Sequence, residues 1–515
     1  MLFGEMKMES NANTSSKAYK EIPYILGIWI VAFLFILHFS SSTTLFKPDC
    51  FGFDSAFFQS IGKLWLEGII PYRDFFDHKG PLLFMINALG YVFPNTRLGL
   101  FLVQSAFFSI SLTLAYLTLR QFINPKYSVV ILLVMILYLG MVFGEGNLSE
   151  EYSLTFVFCM LLFQAKWLKN QKKAMVEKSA ISHPKIYSFI YGFCVMTIAL
   201  IRINNALIPC IGILCIVWFL ARQKQWKMIL QNALFVIFGA LVVFVPVAGY
   251  FYMNNAFVSF INGTFLFNLS YSRVHASLPT ITNSTLFYST PVLLSWFIGL
   301  YLLFKKELYK SVFLFVTGAL TAYMCLGGNS YAHYFINAAP LIPIAFCLFM
   351  SSSENINLNS KLNKFIQYSV VLTLIVVFVY NINLRAEIIP YNPSVIEAGY
   401  ANIQDSHWRN IIDQIPEDDI SDVAVYNLSN DACPIFILTD LKPIYPNSVL
   451  TEWHAEVDPS IITKYVEFLK SDKPKWILCE DVENEKVVSL LDSSYELTYS
   501  YDYEDSRILL YRIKD

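Results

Sequence analysis

Apolar runs long enough to cross roughly 30 Å of hydrocarbon recur along most of the chain. They cover residues 22–40, 98–119, 127–143, 150–165, 186–201, 205–221, 229–252, 291–304, 311–325, 334–350 and 366–383, which predicts eleven transmembrane helices. After about Arg385 the period changes. Strand-length runs appear at 423–428, 476–479, 495–501 and 508–513, the last two split by a polar turn at 502–505, while 459–469 and 483–491 keep helical spacing. The predicted fold class is therefore a polytopic α-helical membrane protein of about eleven transmembrane helices with a small C-terminal α/β domain. A transmembrane domain spans 1–383, with its first outer loop at 41–97, and the α/β domain spans 384–515.

Composition agrees with this division. Hydrophobic residues make up 56% of the chain and charged residues only 15%, and the mean hydropathy is +0.49. A water-soluble chain of this size could not hide that much apolar surface, so the bilayer is its solvent. A net charge of −2 leaves no basic footprint for nucleic acid. No small-residue cleavage site follows the first apolar run, so it is expected to stay as the first helix. Cys159, Cys194, Cys210, Cys215, Cys325 and Cys347 lie in apolar segments and no zinc-type spacing occurs. Cys433 and Cys479 share the polar tail, and whether they pair is left open by the sequence.

Lysine and arginine set the expected orientation. They cluster at 120–126, 166–185, 222–227 and 305–310, which marks these loops as cytoplasmic. Loop 41–97, loop 144–149, residues 253–290 and the tail then share the extracytoplasmic face of a plasma (inner) membrane. Residues 80–93 are apolar but number only fourteen. Counting them as a span would place the basic 166–185 loop outside, so they are read as a helix lying at the outer interface, with a twelve-span arrangement as the alternative. The Ser/Asn-rich stretch 351–364 reads as a flexible connection.

Chemistry gathers in the first outer loop. Asp54 opens an amphipathic stretch in which Phe57, Phe58, Ile61, Leu64 and Trp65 recur at helical spacing. A carboxylate there can cap the helix, or it can act as a general base toward an attacking hydroxyl. It is followed by Gly68-Ile69-Ile70-Pro71-Tyr72-Arg73-Asp74 and by Asp77-His78-Lys79-Gly80-Pro81. An early acidic residue, a G-x-x-P-Y-x-D turn and an acidic-x-K-x-P boundary resemble the GT-C superfamily of polyprenyl-phosphate-dependent glycosyltransferases, nearest the bacterial branch of protein O-mannosyltransferases and lipid A aminoarabinose transferases. The layout is similar over about residues 20–350, with the sharp motifs confined to the first outer loop.

The resemblance implies Asp54 as catalytic base and Lys79 as a contact to the donor phosphate. A lysine suits that role, since a leaving phosphate needs a preorganised cation, although an interfacial lysine also snorkels without any site. Tyr72, Asp74, Asp77 and His78 are expected to bind substrate. Relatives usually read K-P-P where this chain has Lys79-Gly80-Pro81, and the glycine is expected to loosen the backbone ahead of the interfacial helix.

Glu145, Glu150 and Glu151 crowd the second outer loop. Ser149 with glutamates in the first turn would account for them as a helix start, whereas related enzymes carry a second acidic residue here to orient acceptor or metal, a role assigned to Glu151. Arg202 interrupts an apolar stretch, where a guanidinium meets a polar cavity, a phosphate or the headgroups. Tyr331-Ala332-His333-Tyr334 resembles the family's aromatic-plus-base segment near the donor phosphate, and His333 is taken from it. An aromatic belt would explain the tyrosines alone.

The expected function is transfer of a sugar from a polyprenyl phosphate to a hydroxyl of a lipid-linked glycan, polysaccharide or protein, with inversion. A divalent metal is left open, because no ligand set is diagnostic. A transporter or flippase of lipid-linked glycans would spread charge near the midplane, with repeated halves. A polymerase or ligase would lean on outer-loop arginines and histidines.

Overall fold

The computed structural model describes residues 2–47, 50–177, 179–274, 281–327, 330–353, 405–503 and 506–514. The first ten predicted spans all coincide with helices. These are α1 (Leu2–Phe39), α4 (Thr96–Leu119), α5 (Pro125–Val142), α6 (Ser149–Val176), α7 (Lys185–Arg202), α8 (Leu207–Arg222), α9 (Trp226–Met253), α13 (Thr290–Phe304), α14 (Leu308–Leu326) and α15 (Leu341–Ser353), with α2 (Phe53–Leu66) and α3 (Pro81–Tyr91) in the first loop. Three short helices, α10 (Phe257–Ile261), α11 (Phe267–Val274) and α12 (Asn283–Tyr288), fill the segment between α9 and α13. The predicted span at 366–383 and the connection at 354–364 lie outside the described residues.

Apolar surface left bare shows what the solvent must be. Along α9, Leu230, Leu234, Ile237, Phe238 and Val245 are each more than half exposed. A helix this apolar on its outer face is stable only against lipid. Seven stretches among the described residues are long and apolar enough to cross a bilayer, by length and composition alone.

The short helix α3 falls below the length of a bilayer crossing. Its eleven residues rise about 16 Å, half the hydrocarbon thickness. Leu83, Phe84, Ile86 and Ala88 are buried, while Met85, Leu89, Val92 and Phe93 stay exposed. One face of the helix is thus packed on the bundle and the other is left bare.

The first loop is clamped from α4. The Arg97 guanidinium donates to the carbonyls of Ser41, Ser42, Thr44, Lys47 and Cys50, at 2.5–2.9 Å. Five charge-assisted bonds from one planar fork fix the strap that leads into Asp54.

The tail forms a four-stranded sheet of β1 (Val423–Tyr426), β2 (Trp476–Glu480), β3 (Tyr495–Tyr503) and β4 (Ser506–Ile513), in the order β1-β2-β4-β3. β1 and β2 are parallel, and the β3/β4 hairpin pairs antiparallel with β2. Helices Ser460–Asp472 and Glu485–Ser494 stand near their predicted places. Cys433 and Cys479 are both free and buried, so the two do not pair.

This tail is seated on the first loop. Ser60 Oγ donates to Cys433 O at 2.9 Å, Lys63 Nζ to Phe436 O at 2.9 Å and Thr439 O at 3.1 Å, and Phe76 N to Pro446 O at 2.9 Å. Phe75 packs at a tilt against Phe436, with ring centres 5.1 Å apart. The first loop and the tail therefore lie on one face of the helical bundle.

Candidate functional site

The turn that opens α2 needs Gly52, whose φ of +74° is a region L side chains rarely adopt. Gly52 supplies no side-chain cap. Glu145, reaching in from the loop after α5, accepts the Ser55 backbone N–H at 3.1 Å instead. With that end of the helix served by another residue, the Asp54 carboxylate is turned outward. Its Oδ1 accepts from Asn430 Nδ2 at 2.9 Å, and its Oδ2 lies 3.9 Å from His333 Nε2. The capping account of Asp54 thus gives way to a carboxylate facing two groups from remote parts of the chain.

Glu145 is itself half-buried beside Asp54. Burial first, and then the Asp54 charge, push the Glu145 carboxyl up to about 7. A carboxyl raised in the folded state stabilises fully at low pH, and that contribution falls away as pH climbs from the ordinary carboxyl range to about 7. Glu145→Gln should remove the decline. Melting midpoints of detergent-solubilised protein between pH 5 and 8 should fall with pH for the native chain and stay flatter for the variant; parallel curves would refute the assignment.

Arg202 ends α7 and points into the same region. Its guanidinium is paired with Glu150 and stacks over the Tyr334 ring at 4.9 Å. Tyr334 meets His333 edge-on at 4.7 Å, and His333 stacks on Tyr331 at 5.6 Å. Arg202, Tyr334, His333 and Asp54 form a continuous run, and Arg202 lies within Coulombic reach of both Asp54 and His78.

Lys79 is buried against the Phe58 ring, 5.3 Å from its centre, with its ammonium 3.4 Å from Asp77 Oδ1. Such burial argues against a snorkelling lysine, which would keep its charge in water. The next residue, Gly80, does not loosen the backbone. Its N–H donates to Ile201 O at 2.9 Å, and a Cβ there would sit 2.1 Å from Leu200 O. Glycine lets the first loop dock on the last turn of α7, next to Leu200 and Ile201.

Behind Lys79 lies a second cluster. Asp77, His78 and His454 are fully buried, with one ligand atom from each within 4.8 Å of the others. Burial and then the Lys79 charge lower the His78 imidazole to about 4, and burial with His78 lowers His454 to about 3. Burial opposes ionisation of Asp77, yet Lys79 and a hydrogen bond from His78 hold its carboxyl well below the usual range. Two neutral imidazoles and a carboxylate are a donor set for zinc or a similar divalent ion. Asp77 Oδ2 has no hydrogen-bond partner among the described residues.

The other expected residues are placed as follows. Tyr72, at φ +68°, donates its hydroxyl to Lys79 O at 2.7 Å, and Asp74 pairs with Arg73 and accepts from Ile70 N. Both brace the loop. Glu151 is fully buried, accepting from Gln104 Nε2 at 2.8 Å and Asn147 N at 3.0 Å. Of the three glutamates it is Glu145 that reaches Asp54 and Glu150 that reaches Arg202. Sequence reasoning missed Asn430 and His454, which lie hundreds of residues from the first loop in a segment with no local motif.

No protein-family model and no curated protein sequence matches this chain. Among solved structures, ArnT from Cupriavidus metallidurans bound to undecaprenyl phosphate aligns over 96% of this chain and 98% of its own, at 12% identity and a TM-score of 0.51. The archaeal oligosaccharyltransferase AglB from Archaeoglobus fulgidus, in complex with an inhibitory peptide and a dolichol-phosphate, aligns over 94% of this chain and 74% of its own, at 12% identity and a TM-score of 0.47. The chain shares the fold of ArnT.

Proposed function

We propose that this chain is an integral-membrane glycosyltransferase that moves a sugar from a polyprenyl phosphate to an acceptor hydroxyl, working from the extracytoplasmic face of the plasma membrane. The observation that carries this reading is the outward turn of Asp54. Its helix start is served by Glu145, and it faces His333 with Arg202 within Coulombic reach. In the fold relative ArnT the bound lipid is undecaprenyl phosphate, which supports a ligand of the same chemistry here.

Asp54 takes the proton of the acceptor hydroxyl as its oxygen attacks the anomeric carbon. The bond from that carbon to the phosphate oxygen breaks, its electron pair leaves with the lipid phosphate, and the anomeric centre inverts. Lys79, Arg202 and His333 hold the negative charge that develops there. Glu150 and Asp77 keep the two strong cations oriented, Glu151 fixes the loop carrying Glu145, and Tyr72 and Asp74 brace the loop that carries Lys79. The acceptor is a lipid-linked glycan, a polysaccharide or a protein.

Asp77, His78 and His454 would hold a divalent ion as a clamp between the first loop and the tail. Treatment with a strong chelator should then lower the melting midpoint and release one metal equivalent by elemental analysis; a metal-free protein that melts unchanged would remove the clamp.

Release of lipid phosphate from a panel of polyprenyl-phosphate sugars, offered with hydroxyl acceptors, tests the reaction. Turnover is expected with at least one donor. Lys79→Ala should raise the donor KM tenfold or more, the loss of a charge-assisted contact of about 1.5–3 kcal/mol. No turnover across the panel would overturn the reading.

A further inference from the structure

A cavity of about 550 Å³ opens between the tail and the segment that follows α9, within the size range of small-molecule sites. One wall is α10, the turn Asn262–Leu266 and α11. The other is the end of helix Thr451–Val457 and the start of helix Ser460–Asp472, and Tyr72 and Phe76 of the first loop complete the lining. Phe267 and Ser270 of α11 face this groove, whereas Tyr271, the next residue, lies within Coulombic reach of Asp54 and Arg202. A single helix therefore divides the groove from the Asp54 region.

That helix is firmly held. Asn268 Nδ2 donates to His78 O at 2.6 Å and to Thr264 O at 2.9 Å, which ties α11 to the first loop. The residues leading into it, Asn262–Leu266, form a turn of π-helix, a rare geometry that is frequent at functional sites.

The polar groups of the groove are spare. The side chains of Ser259, Asn262, Ser270, Asn447 and Lys464 make no hydrogen bond or ion pair among the described residues. Asp458 uses one carboxylate oxygen to accept the Ser460 N–H at 3.0 Å. The two amides and two hydroxyls can both donate and accept, while one carboxylate and one ammonium leave no net charge to draw an ionic ligand. Beside them stand the half-buried rings of Phe76 and Phe267, with centres 5.3 Å apart. Amides, hydroxyls and rings together match a sugar, which carries hydroxyls around its rim and C–H groups on its faces. An extended peptide would look for backbone partners, and walls of helices and turns offer it no strand edge.

We propose that this groove holds the non-reacting part of a neutral glycan acceptor, whose hydroxyl to be glycosylated reaches past α11 toward Asp54. The acceptor role rests on the transferase reading; the affinity for neutral glycan does not.

Isothermal titration calorimetry on the full chain, purified in a detergent without a sugar headgroup and with no donor present, tests that affinity. The probes are cellotetraose, maltotetraose, mannotetraose and chitotetraose, set against a hyaluronan tetrasaccharide and a serine- and threonine-containing peptide. At least one neutral tetrasaccharide should bind saturably and more tightly than the acidic saccharide or the peptide. Asn262→Ala should weaken that binding roughly three- to tenfold, the worth of one neutral hydrogen bond. Ser270→Trp, which fills the groove, should abolish it. Both residues are exposed, so both variants should melt where the native protein does. No binding of any neutral saccharide, tighter binding of the acidic saccharide or the peptide, or unchanged binding by Ser270→Trp would each overturn the proposal. In the transfer assay Asn262→Ala should raise the acceptor KM and leave the donor KM unchanged. A chain that binds neutral glycan but turns over no donor would support the glycan site and refute the transferase reading.

Discussion

Asp54→Asn is expected to lower sugar transfer roughly a hundred- to ten-thousandfold, the range attached to a positioned general base. The substitution keeps the shape and leaves an oxygen to accept from Asn430 Nδ2, now at 2.9 Å. It removes the ability to take a proton. The Gly52 turn and the Glu145 bond to Ser55 N–H do not involve the Asp54 side chain, so the variant should melt where the native protein does. Thermal melting alongside the lipid-phosphate release assay separates the two effects. A folded Asp54→Asn protein that transfers sugar at the native rate would end the assignment. His333 sits 3.9 Å from the carboxylate and works on geometry and charge, so His333→Ala should lose less than Asp54→Asn.

The second large effect is expected at Gly80. A Cβ at this position would stand 2.1 Å from Leu200 O and 2.2 Å from Leu200 C, and both are backbone atoms that have no rotamer to escape into. Gly80→Ala must therefore push the first loop away from α7, at a cost of about 1–3 kcal/mol. Gly80→Pro, which writes the K-P-P of the resembling enzymes into this chain, adds loss of the N–H bond to Ile201 O at 2.9 Å. Lys79 moves with the loop, so donor KM should rise along with the fall in melting midpoint. If Gly80→Ala melts and turns over like the native protein, the close approach to α7 does not hold in solution.

The two residues differ in how much of their meaning could be read ahead of the fold. Asp54 announces itself because a carboxylate at the start of an apolar helix, followed by a turn and a D-H-K run, is local information. What local information could not settle was whether Asp54 caps its own helix. That depended on Glu145, about ninety residues away, taking the Ser55 N–H. The same limit explains the three glutamates. Adjacent residues on a helix point about 100° apart, so Glu150 and Glu151 face different neighbours. Their neighbours, Arg202 for one and Gln104 for the other, are set by which helices pack together. Gly80 shows the reverse error. Glycine's freedom suggested slack, while packing used its missing side chain for contact.

The chain's own pattern determined the membrane helices, the short apolar helix of the first loop and the strand-and-helix tail, because hydrophobic periodicity acts between near neighbours and the solvent alone enforces it. Tertiary structure alone decided that the tail sits on the first loop, that Asn430 reaches Asp54, and that His454 closes a cluster with Asp77 and His78. Such contacts join residues hundreds of positions apart. They are fixed by shape and by the need to satisfy buried charge, and neither leaves a periodic trace along the sequence.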